Sequence, residues 1–237
     1  MIVIPAIDLR DGDCVQLRGG DFDQELIRLS DPVHVAVQWR DLGFKHLHVI
    51  DLDAAAGTGS NRLIIERICQ FYDVTAQVGG GVRDTEAVDQ LLRLGASSVL
   101  VGTRAFTDPA WFAQVVEANP GRIALALDVR DGTITTSAWR EQTSIDPAEF
   151  LGSVASLPLA QVVATAVDVE GREAGPDLEL VRRLRAATAH RLGVAGGVTT
   201  AGDVRALDSI GVDSVVVGTA LYTGKLEMSA LSEELHP

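Results

Sequence analysis

Two aspartates, Asp8 and Asp128, each stand at the end of a short apolar run of this chain. A carboxyl group in a partly buried position can give or take a proton, so two that face one another suit general acid/base catalysis on a small molecule. Each could instead only cap the turn that follows it, because an Asp-Gly dipeptide lies three residues further on in both places. Their symmetric placement favours the catalytic pair.

Glycine-rich turns follow four other apolar runs, and they are typical of anion sites. Glycine lets a bound group approach the backbone closely, and the free N–H groups at the start of a following helix favour phosphate. A single Gly-Gly pair usually marks only a turn, whereas two matched sets predict a small-molecule substrate with a phosphate at each end. The residues predicted to bind phosphate are Gly80, Gly81, Gly102 and Thr103 in one set and Gly196, Gly197, Gly218 and Thr219 in the other.

Further side chains are candidates for contact with a substrate. His48 lies inside an apolar run and could equally be a hydrogen-bonded core residue, while Asp51 and Asp53 follow it and could bind substrate or orient the imidazole. Trp139 lies in the loop after the fifth run and could stack on a planar ring or only anchor its loop. Thr165 ends the sixth run and faces the same mouth by the alternation of side chains along a strand. No spacing of histidine or cysteine indicates a metal site.

The chain contains an internal repeat. The Gly-Gly-Val at 80–82 recurs 116 residues later at 196–198, and the Val-Gly-Thr at 101–103 recurs at the same spacing. The runs that carry the two aspartates match at a spacing of 120. Each half therefore has a carboxylate after its first run and glycines after its third and fourth. A unit of this length indicates a half-barrel and not a solenoid repeat.

Eight apolar runs alternate with amphipathic segments, which is the pattern of βαβ units in a parallel sheet. The predicted strands are Ile2–Ile7, Leu47–Ile50, Thr75–Val78, Ser98–Val101, Ile123–Leu127, Gln161–Ala166, Arg191–Ala195 and Ser214–Val217. The predicted helices are Pro32–Gly43, Arg62–Phe71, Asp84–Gly95, Asp108–Asn119, Pro147–Ser156, Asp177–Thr188 and Thr200–Gly211. We therefore predict an α/β fold, a single parallel (β/α)8 TIM barrel over residues 1–237 built from two half-barrel repeats. Strands one and five are opposite in such a ring, so the two aspartates face each other across the mouth.

Composition limits the partners. The 237 residues carry a formal net charge of −13 without a Lys/Arg cluster, so nucleic acid is not expected as a partner. No run of about 18 apolar residues predicts a membrane span. Cys14 and Cys69 show no disulfide or metal spacing and are expected to be reduced thiols of a cytoplasmic protein. No exposed apolar element is evident, so we expect a monomer.

Six short motifs, spread over essentially the whole chain, resemble those of one enzyme family. They lie at Ala6–Leu9, Gly20–Phe22, Leu47–Asp53, Gln77–Arg83, Gly175–Pro176 and Val217–Tyr222. Together they are similar to the phosphoribosylformimino-aminoimidazole carboxamide ribotide isomerases of histidine biosynthesis. The related cyclase of that pathway typically has a cysteine where this chain has Ala6, which favours the isomerase.

The resemblance implies an aldose–ketose isomerase that performs an Amadori rearrangement without a cofactor. The family's two catalytic aspartates fall on Asp8 and Asp128, and its substrate carries two phosphoribosyl groups. The resemblance also adds Gly175 to the phosphate-binding set.

The chain departs from the family at two places. Gln16 stands where the family usually has an arginine, and Arg18, two residues on with the same strand parity, could bind substrate in its place. In the loop after strand six the family's aspartate falls on Glu170, with Asp168 nearby, so either could supply an additional acid.

Two alternatives follow from these differences. Some relatives also isomerise phosphoribosylanthranilate for tryptophan synthesis and carry an Arg-Gly-Trp motif where this chain has Ser137-Ala138-Trp139, which favours a single substrate here. The second alternative is a barrel that binds a phosphorylated metabolite without catalysis, suggested by Gln16 and the altered loop.

Overall fold

The protein is described by a computed structural model over residues 1–71 and 73–227. Eight strands form the wall of a barrel: β1 (Ile2–Arg10), β2 (His46–Asp51), β3 (Thr75–Gly79), β4 (Ser98–Val101), β5 (Ile123–Arg130), β6 (Gln161–Ala166), β7 (Leu192–Ala195) and β8 (Ser214–Val217). Each strand pairs in parallel with the next, and β8 pairs in parallel with β1. The ring is therefore closed, and the predicted parallel (β/α)8 barrel is confirmed.

Within residues 1–71 and 73–227, ten α-helices and one short 3₁₀ helix, Val167–Val169, accompany the strands. The α-helices are α1 (Pro32–Asp41), α2 (Leu52–Ala56), α3 (Arg62–Cys69), α4 (Thr85–Arg93), α5 (Thr103–Thr107), α6 (Pro109–Ala118), α7 (Pro147–Ser153), α8 (Leu178–Ala187), α9 (Ala201–Ile210) and α10 (Thr219–Tyr222). The seven predicted helices are all present. Six of them begin after an Asp or Thr whose side chain accepts a hydrogen bond from the first turn, which explains why their starts could be predicted.

The sheet has a different core on each face. Outward side chains such as Leu47, Val49 and Leu125 are fully buried against the helices. Inward side chains form a smaller cluster that fills the barrel, made of Ile4, Ala6, Leu100, Ala124, Val163 and Val216. Strands buried on both faces have few polar positions, and a polar side chain that points inward costs stability unless it has a hydrogen-bond partner.

Two hairpins at the mouth were not predicted. β1 and β5 continue two residues past Asp8 and Asp128 and turn back into antiparallel strands at Asp13–Leu17 and Thr133–Thr136. The Asp-Gly residues of both turns have positive φ, 52° and 85° in the first and 47° and 76° in the second, as a two-residue type I′ hairpin requires. The aspartates thus lie just inside the ends of their strands. Two further short strands, Glu25–Leu29 and Glu141–Gln142, extend the hairpins.

Over the residues that the structure describes, none of the helices has both the length and the apolar character to span a bilayer.

Candidate active site

A cavity of about 520 Å³ opens at the carboxyl ends of the barrel strands. Asp8 on β1 and Asp128 on β5 both line it, from strands that are four positions apart in the ring of eight. The structure therefore brings the two aspartates together in one cavity, as the internal repeat predicted.

A third carboxyl group, Glu170, lines the same cavity. The pKa of Asp8 is raised from 3.8 to about 7, mainly by burial and to a smaller extent by the charge of Glu170. The pKa of Glu170 is raised from 4.5 to about 7, again mainly by burial and to a smaller extent by the charge of Asp128. A charge on one of these carboxyls disfavours ionisation of the next, so the cavity can hold protonated and charged carboxyl groups together near pH 7.

Asp128 is the carboxyl best suited to carry the charge. Burial raises its pKa, but hydrogen bonds from the side chains of Trp139 and Thr165 oppose the rise. Because both donors favour the ionised form, Asp128 is better suited to act as the base and Asp8 as the acid. Such a pair can act as base and acid near pH 7.

Trp139 reaches Asp128 through an unusual loop. Ser137, Ala138 and Trp139 all have positive φ, between 54° and 64°, although none is glycine. The Arg130 guanidinium donates to the Trp139 carbonyl at 2.8 Å, and the Ser137 N–H donates to the Thr103 hydroxyl at 2.8 Å. These contacts hold three residues in a costly conformation, which indicates that the position of the indole over the cavity matters.

The other half-barrel repeats this arrangement. Arg10 stands two residues after Asp8, as Arg130 does after Asp128, and it donates to the Phe22 carbonyl at 2.6 Å. Its guanidinium also lies 4.9 Å from the centre of the Phe22 ring, and Phe22 lines the cavity. Each half therefore uses an arginine to hold an aromatic loop at the mouth. The sequence carried this signal as Asp-x-Arg-Asp-Gly in both repeats, and it was missed.

The first predicted phosphate site lies in the cavity wall. Gly80, Gly81, Gly102 and Thr103 all line the cavity. Gly80 has a φ of +103°, and a Cβ there would collide with the backbone of Asp51, so only glycine fits. Two cations that the sequence reasoning missed, Arg83 and Arg104, line the same side. Each comes one or two positions after a predicted phosphate-binding residue, a spacing that could have identified them.

The second predicted phosphate site forms a smaller cavity of about 20 Å³. Gly196, Gly197, Gly218 and Thr219 line it, and it shares Glu170 with the large cavity. It has room for about one water molecule, so this side is tighter than the first.

Two residues border the second site in unexpected ways. Gly175 lines neither cavity; its N–H donates to the Gly197 carbonyl at 3.1 Å, so it supports that turn from behind. Gln16 does line the large cavity, where the Thr219 hydroxyl donates to its amide oxygen at 3.4 Å. A neutral amide thus occupies the place of the family's arginine.

The structure places Arg18, a predicted substrate-binding residue, outside the cavity. Its side chain is exposed and does not line the cavity. The hairpin has a bulge between Gln16 and Leu17, so the alternation of side chains from Gln16 does not continue to Arg18.

The structure also places Asp51 outside the cavity, where its carboxylate has partners within the protein. It is almost fully buried away from the cavity, and its carboxylate accepts hydrogen bonds from the Asn61 backbone at 2.7 Å, the Asn61 amide at 2.9 Å and the Ala54 N–H at 3.0 Å. Asp53 accepts from the same Asn61 amide and from the Asp11 N–H at 2.7 Å. The pair therefore anchors the turn of the first hairpin.

Asp168 does for the second hairpin what Asp53 does for the first. It is exposed, lies outside the cavity and accepts a hydrogen bond from the Asp131 N–H at 2.8 Å. Of the two acids that the sequence left open, only Glu170 faces the cavity. The structure thus separates an acid of the site from an acid that positions a turn.

His48 lines the cavity and is neutral. Burial lowers the pKa of its imidazole to about 4, and its Nδ1 lies 2.8 Å from the side-chain nitrogen of Gln77. Among residues 1–71 and 73–227, no three His, Cys, Asp or Glu side chains are grouped so that they could hold a metal ion.

Comparison with known proteins places the chain among histidine-biosynthesis proteins. Residues 2–227 match the family described as histidine biosynthesis protein. A protein of Gemmatimonas aurantiaca is 45% identical over 234 residues, and one of Myxococcus xanthus is 45% identical over 235, each match covering 99% of both chains. A protein of Methanocaldococcus jannaschii is 37% identical over 98% of both chains. All three are named 1-(5-phosphoribosyl)-5-((5-phosphoribosylamino)methylideneamino)imidazole-4-carboxamide isomerase.

Proposed function

This chain belongs to the histidine biosynthesis protein family, and from that premise we propose that it is an aldose–ketose isomerase acting by Amadori rearrangement. Its substrate is the aminoaldose in the name of its relatives, 1-(5-phosphoribosyl)-5-((5-phosphoribosylamino)methylideneamino)imidazole-4-carboxamide. The observation that carries the proposal is the pair Asp8 and Asp128, which line one cavity from opposite strands between two glycine-rich turns.

The reaction needs an acid and a base in turn. A protonated carboxyl group gives its proton to the ribose ring oxygen, the C1–O bond breaks, and a Schiff base forms at C1. A carboxylate then removes the C2 proton to give an enolamine. Protonation at C1 and loss of the C2 hydroxyl proton give the ketose, so atoms balance without an oxidant or cofactor. Asp8, with its pKa raised to about 7, can give a proton near neutral pH, and Asp128, whose ionised form Trp139 and Thr165 favour, can take one.

Glu170 sets how many protons the site holds. The charge of Glu170 raises the pKa of Asp8, and the charge of Asp128 raises the pKa of Glu170. The three carboxyls therefore titrate as a coupled group. Glu170 also lines both cavities. We infer that Glu170 is the additional acid of this site and that Asp168 takes no part in proton transfer.

The two phosphates are held by local groups. A chain with a net charge of −13 repels a ligand with two phosphate groups at long range, so backbone N–H groups at the glycine turns must compensate close by. On the first side Arg83 and Arg104 add positive charge to Gly80, Gly81, Gly102 and Thr103. Trp139 covers the cavity between the two ends and limits access of water to the Schiff base.

We further infer that the enzyme works as a monomer in the cytoplasm. The large apolar side chains exposed among the described residues, Leu26, Leu29, Leu42 and Leu63, do not exceed what an ordinary surface shows, and neither described cysteine forms a disulfide. A small bis-phosphorylated metabolite is the partner that the site fits.

Genetic complementation tests the proposal. Expressed in a bacterium that lacks the histidine-pathway isomerase, the protein is expected to restore growth without histidine, and the Asp128→Asn variant is not. A second strain, lacking phosphoribosylanthranilate isomerase, tests the tryptophan alternative and should stay dependent on tryptophan. Failure of the wild-type protein to rescue the first strain, at a level of expression verified by immunoblot, would overturn the proposed function.

A further inference from the structure

A line of buried and half-buried polar side chains runs through the barrel interior below the cavity. The Ser214 hydroxyl donates to the Gln161 amide oxygen at 3.4 Å, and the Gln161 amide nitrogen donates to the Gln77 amide oxygen. The Gln77 amide nitrogen then lies 2.8 Å from His48 Nδ1. Ser214, Gln77 and His48 are each at most 9% exposed. Buried polar groups cost stability unless they are paired, so a paired line that ends on a cavity residue needs a reason.

The direction of these hydrogen bonds fixes the proton on His48. Each amide gives its nitrogen to the next oxygen, so the Gln77 nitrogen reaches the imidazole as a donor. Nδ1 must then be an unprotonated acceptor, and the single proton of the neutral ring lies on Nε2. The low pKa of the buried imidazole agrees with a ring that stays neutral at pH 7. Since Gln77 occupies the Nδ1 edge, the edge left for the cavity carries the Nε2–H donor.

The first half-barrel contributes His48 and Gln77 to this line, and the second contributes Gln161 and Ser214. In the repeat, the pair His48 and Gln77 corresponds to Val163 and Gly193, which face each other in the same register across β6 and β7. Gly193 leaves the space that the line needs, because a Cβ there would lie 2.8 Å from the Ser214 hydroxyl oxygen. The two halves agree in their aspartates, arginines and glycines and differ here. The difference is therefore specific to the side of the cavity that His48 occupies.

We propose that Gln77 is a positioning residue that holds His48 as the neutral Nε2–H tautomer, so that the imidazole donates a hydrogen bond to an oxygen atom of the bound substrate. Gln161 and Ser214 orient the Gln77 amide. A donor that never loses its proton near pH 7 fixes the sugar without competing with the carboxyls for protons. The hydrogen bond from His48 to the substrate rests on the proposed function, whereas the tautomer of His48 follows from the hydrogen bonds within the protein.

Nuclear magnetic resonance of the unliganded protein tests the tautomer directly. Two-bond proton–nitrogen correlations at pH 7.5 distinguish protonated from unprotonated ring nitrogens, and the His48 signals are assigned by their absence from the His48→Gln variant. We expect the wild type to show a protonated Nε2 and an unprotonated Nδ1. In Gln77→Glu a carboxylate faces the ring, so a proton is expected to appear on Nδ1. The matched control is Gln38→Glu, an exposed position on α1, which should leave the His48 pattern unchanged.

Kinetics give the second measurement. Gln77→Met removes the amide but keeps an unbranched side chain, and we expect a mixture of His48 tautomers with a fall of about three- to tenfold in kcat/KM. A wild-type spectrum with the proton on Nδ1, or a Gln77→Glu spectrum identical to the wild type, overturns the proposal, as does a Gln77→Met enzyme with unchanged kcat/KM. If the Gln77 variants fail to fold, the wild-type spectrum alone decides. Absence of wild-type turnover would instead contradict the proposed function and leave the tautomer result standing.

Discussion

Asp8→Asn should make the protein more stable at pH 8 while it destroys the site. Burial and the neighbouring charge of Glu170 raise the pKa of Asp8 from 3.8 to about 7 in the folded chain. Between these two pH values the folded chain binds a proton that the unfolded chain has released. Stability therefore falls as pH rises from about 4 to 7, and above pH 7 the folded protein carries the full cost of the charged carboxylate.

The size of this cost follows from the same two values. A rise from 3.8 to about 7 corresponds to about 4 kcal/mol. We expect the measured difference in the free energy of unfolding to be about half of this value. Asp8 borders an open cavity that water enters, and Glu170 can change its own protonation when Asp8 is replaced by a neutral residue. Asparagine has nearly the same shape without the charge. The free energy of unfolding should thus rise by about 2 kcal/mol at pH 8 and by less than about 0.5 kcal/mol at pH 4.5.

Urea unfolding followed by circular dichroism at the two pH values measures the effect. The control is Asp73→Asn, an exposed aspartate in the turn before β3, at the end of the barrel away from the cavity. It should change stability by less than about 0.5 kcal/mol at either pH. A variant at Asp8 that is no more stable than the wild type at pH 8, or whose gain is the same at both pH values, would refute this reasoning.

Three further substitutions separate residues that the site uses from residues that only surround it. Gly20→Ala places a Cβ against the Trp139 indole, which donates a hydrogen bond to Asp128, so kcat/KM should fall about tenfold. The control is Gly19→Ala, where φ is similar but the space is open, and it should keep at least half of the wild-type activity. Steady-state kinetics of the two variants make the comparison. Glu170→Gln should lower kcat about a hundredfold, because Glu170 lines the cavity. In Asp168→Asn the amide oxygen can still accept the hydrogen bond from the Asp131 N–H, so kcat should stay within about threefold of the wild type. Equal losses in the two variants would contradict the assignment. Arg130→Met frees the aromatic loop of the second half, so KM should rise about three- to tenfold in a substrate titration, and an unchanged KM would show that the loop needs no anchor.

The barrel could be predicted because its signals are local and repeated. Short apolar runs, capping residues and the spacing of 116 residues between glycine turns are properties of neighbouring residues along the chain. The opposite placement of Asp8 and Asp128 then follows from closing a ring of eight strands. Closure also explains why a repeat predicted two phosphate sites on opposite sides of one mouth.

The positions that could not be predicted depend on partners far away in sequence. Asp51 was a candidate because it follows a strand, and Asp168 because it lies near the family's loop aspartate, but the Asn61 amide and the Asp131 N–H bind their carboxylates. Arg18 lies outside the cavity because a bulge changes the alternation of its strand. The polar line below His48 needs Gln161, 84 residues from Gln77, to reach across the barrel. Such contacts exist only once the ring has closed.

The most direct test of the account is the rate at which purified protein converts the aminoaldose to its ketose, measured for the wild type, Asp8→Asn and Asp128→Asn. The account predicts turnover by the wild type and a loss of at least about a hundredfold in each variant, with circular dichroism showing both variants folded. Full activity in both variants would contradict the claim that this pair of carboxyls moves the protons.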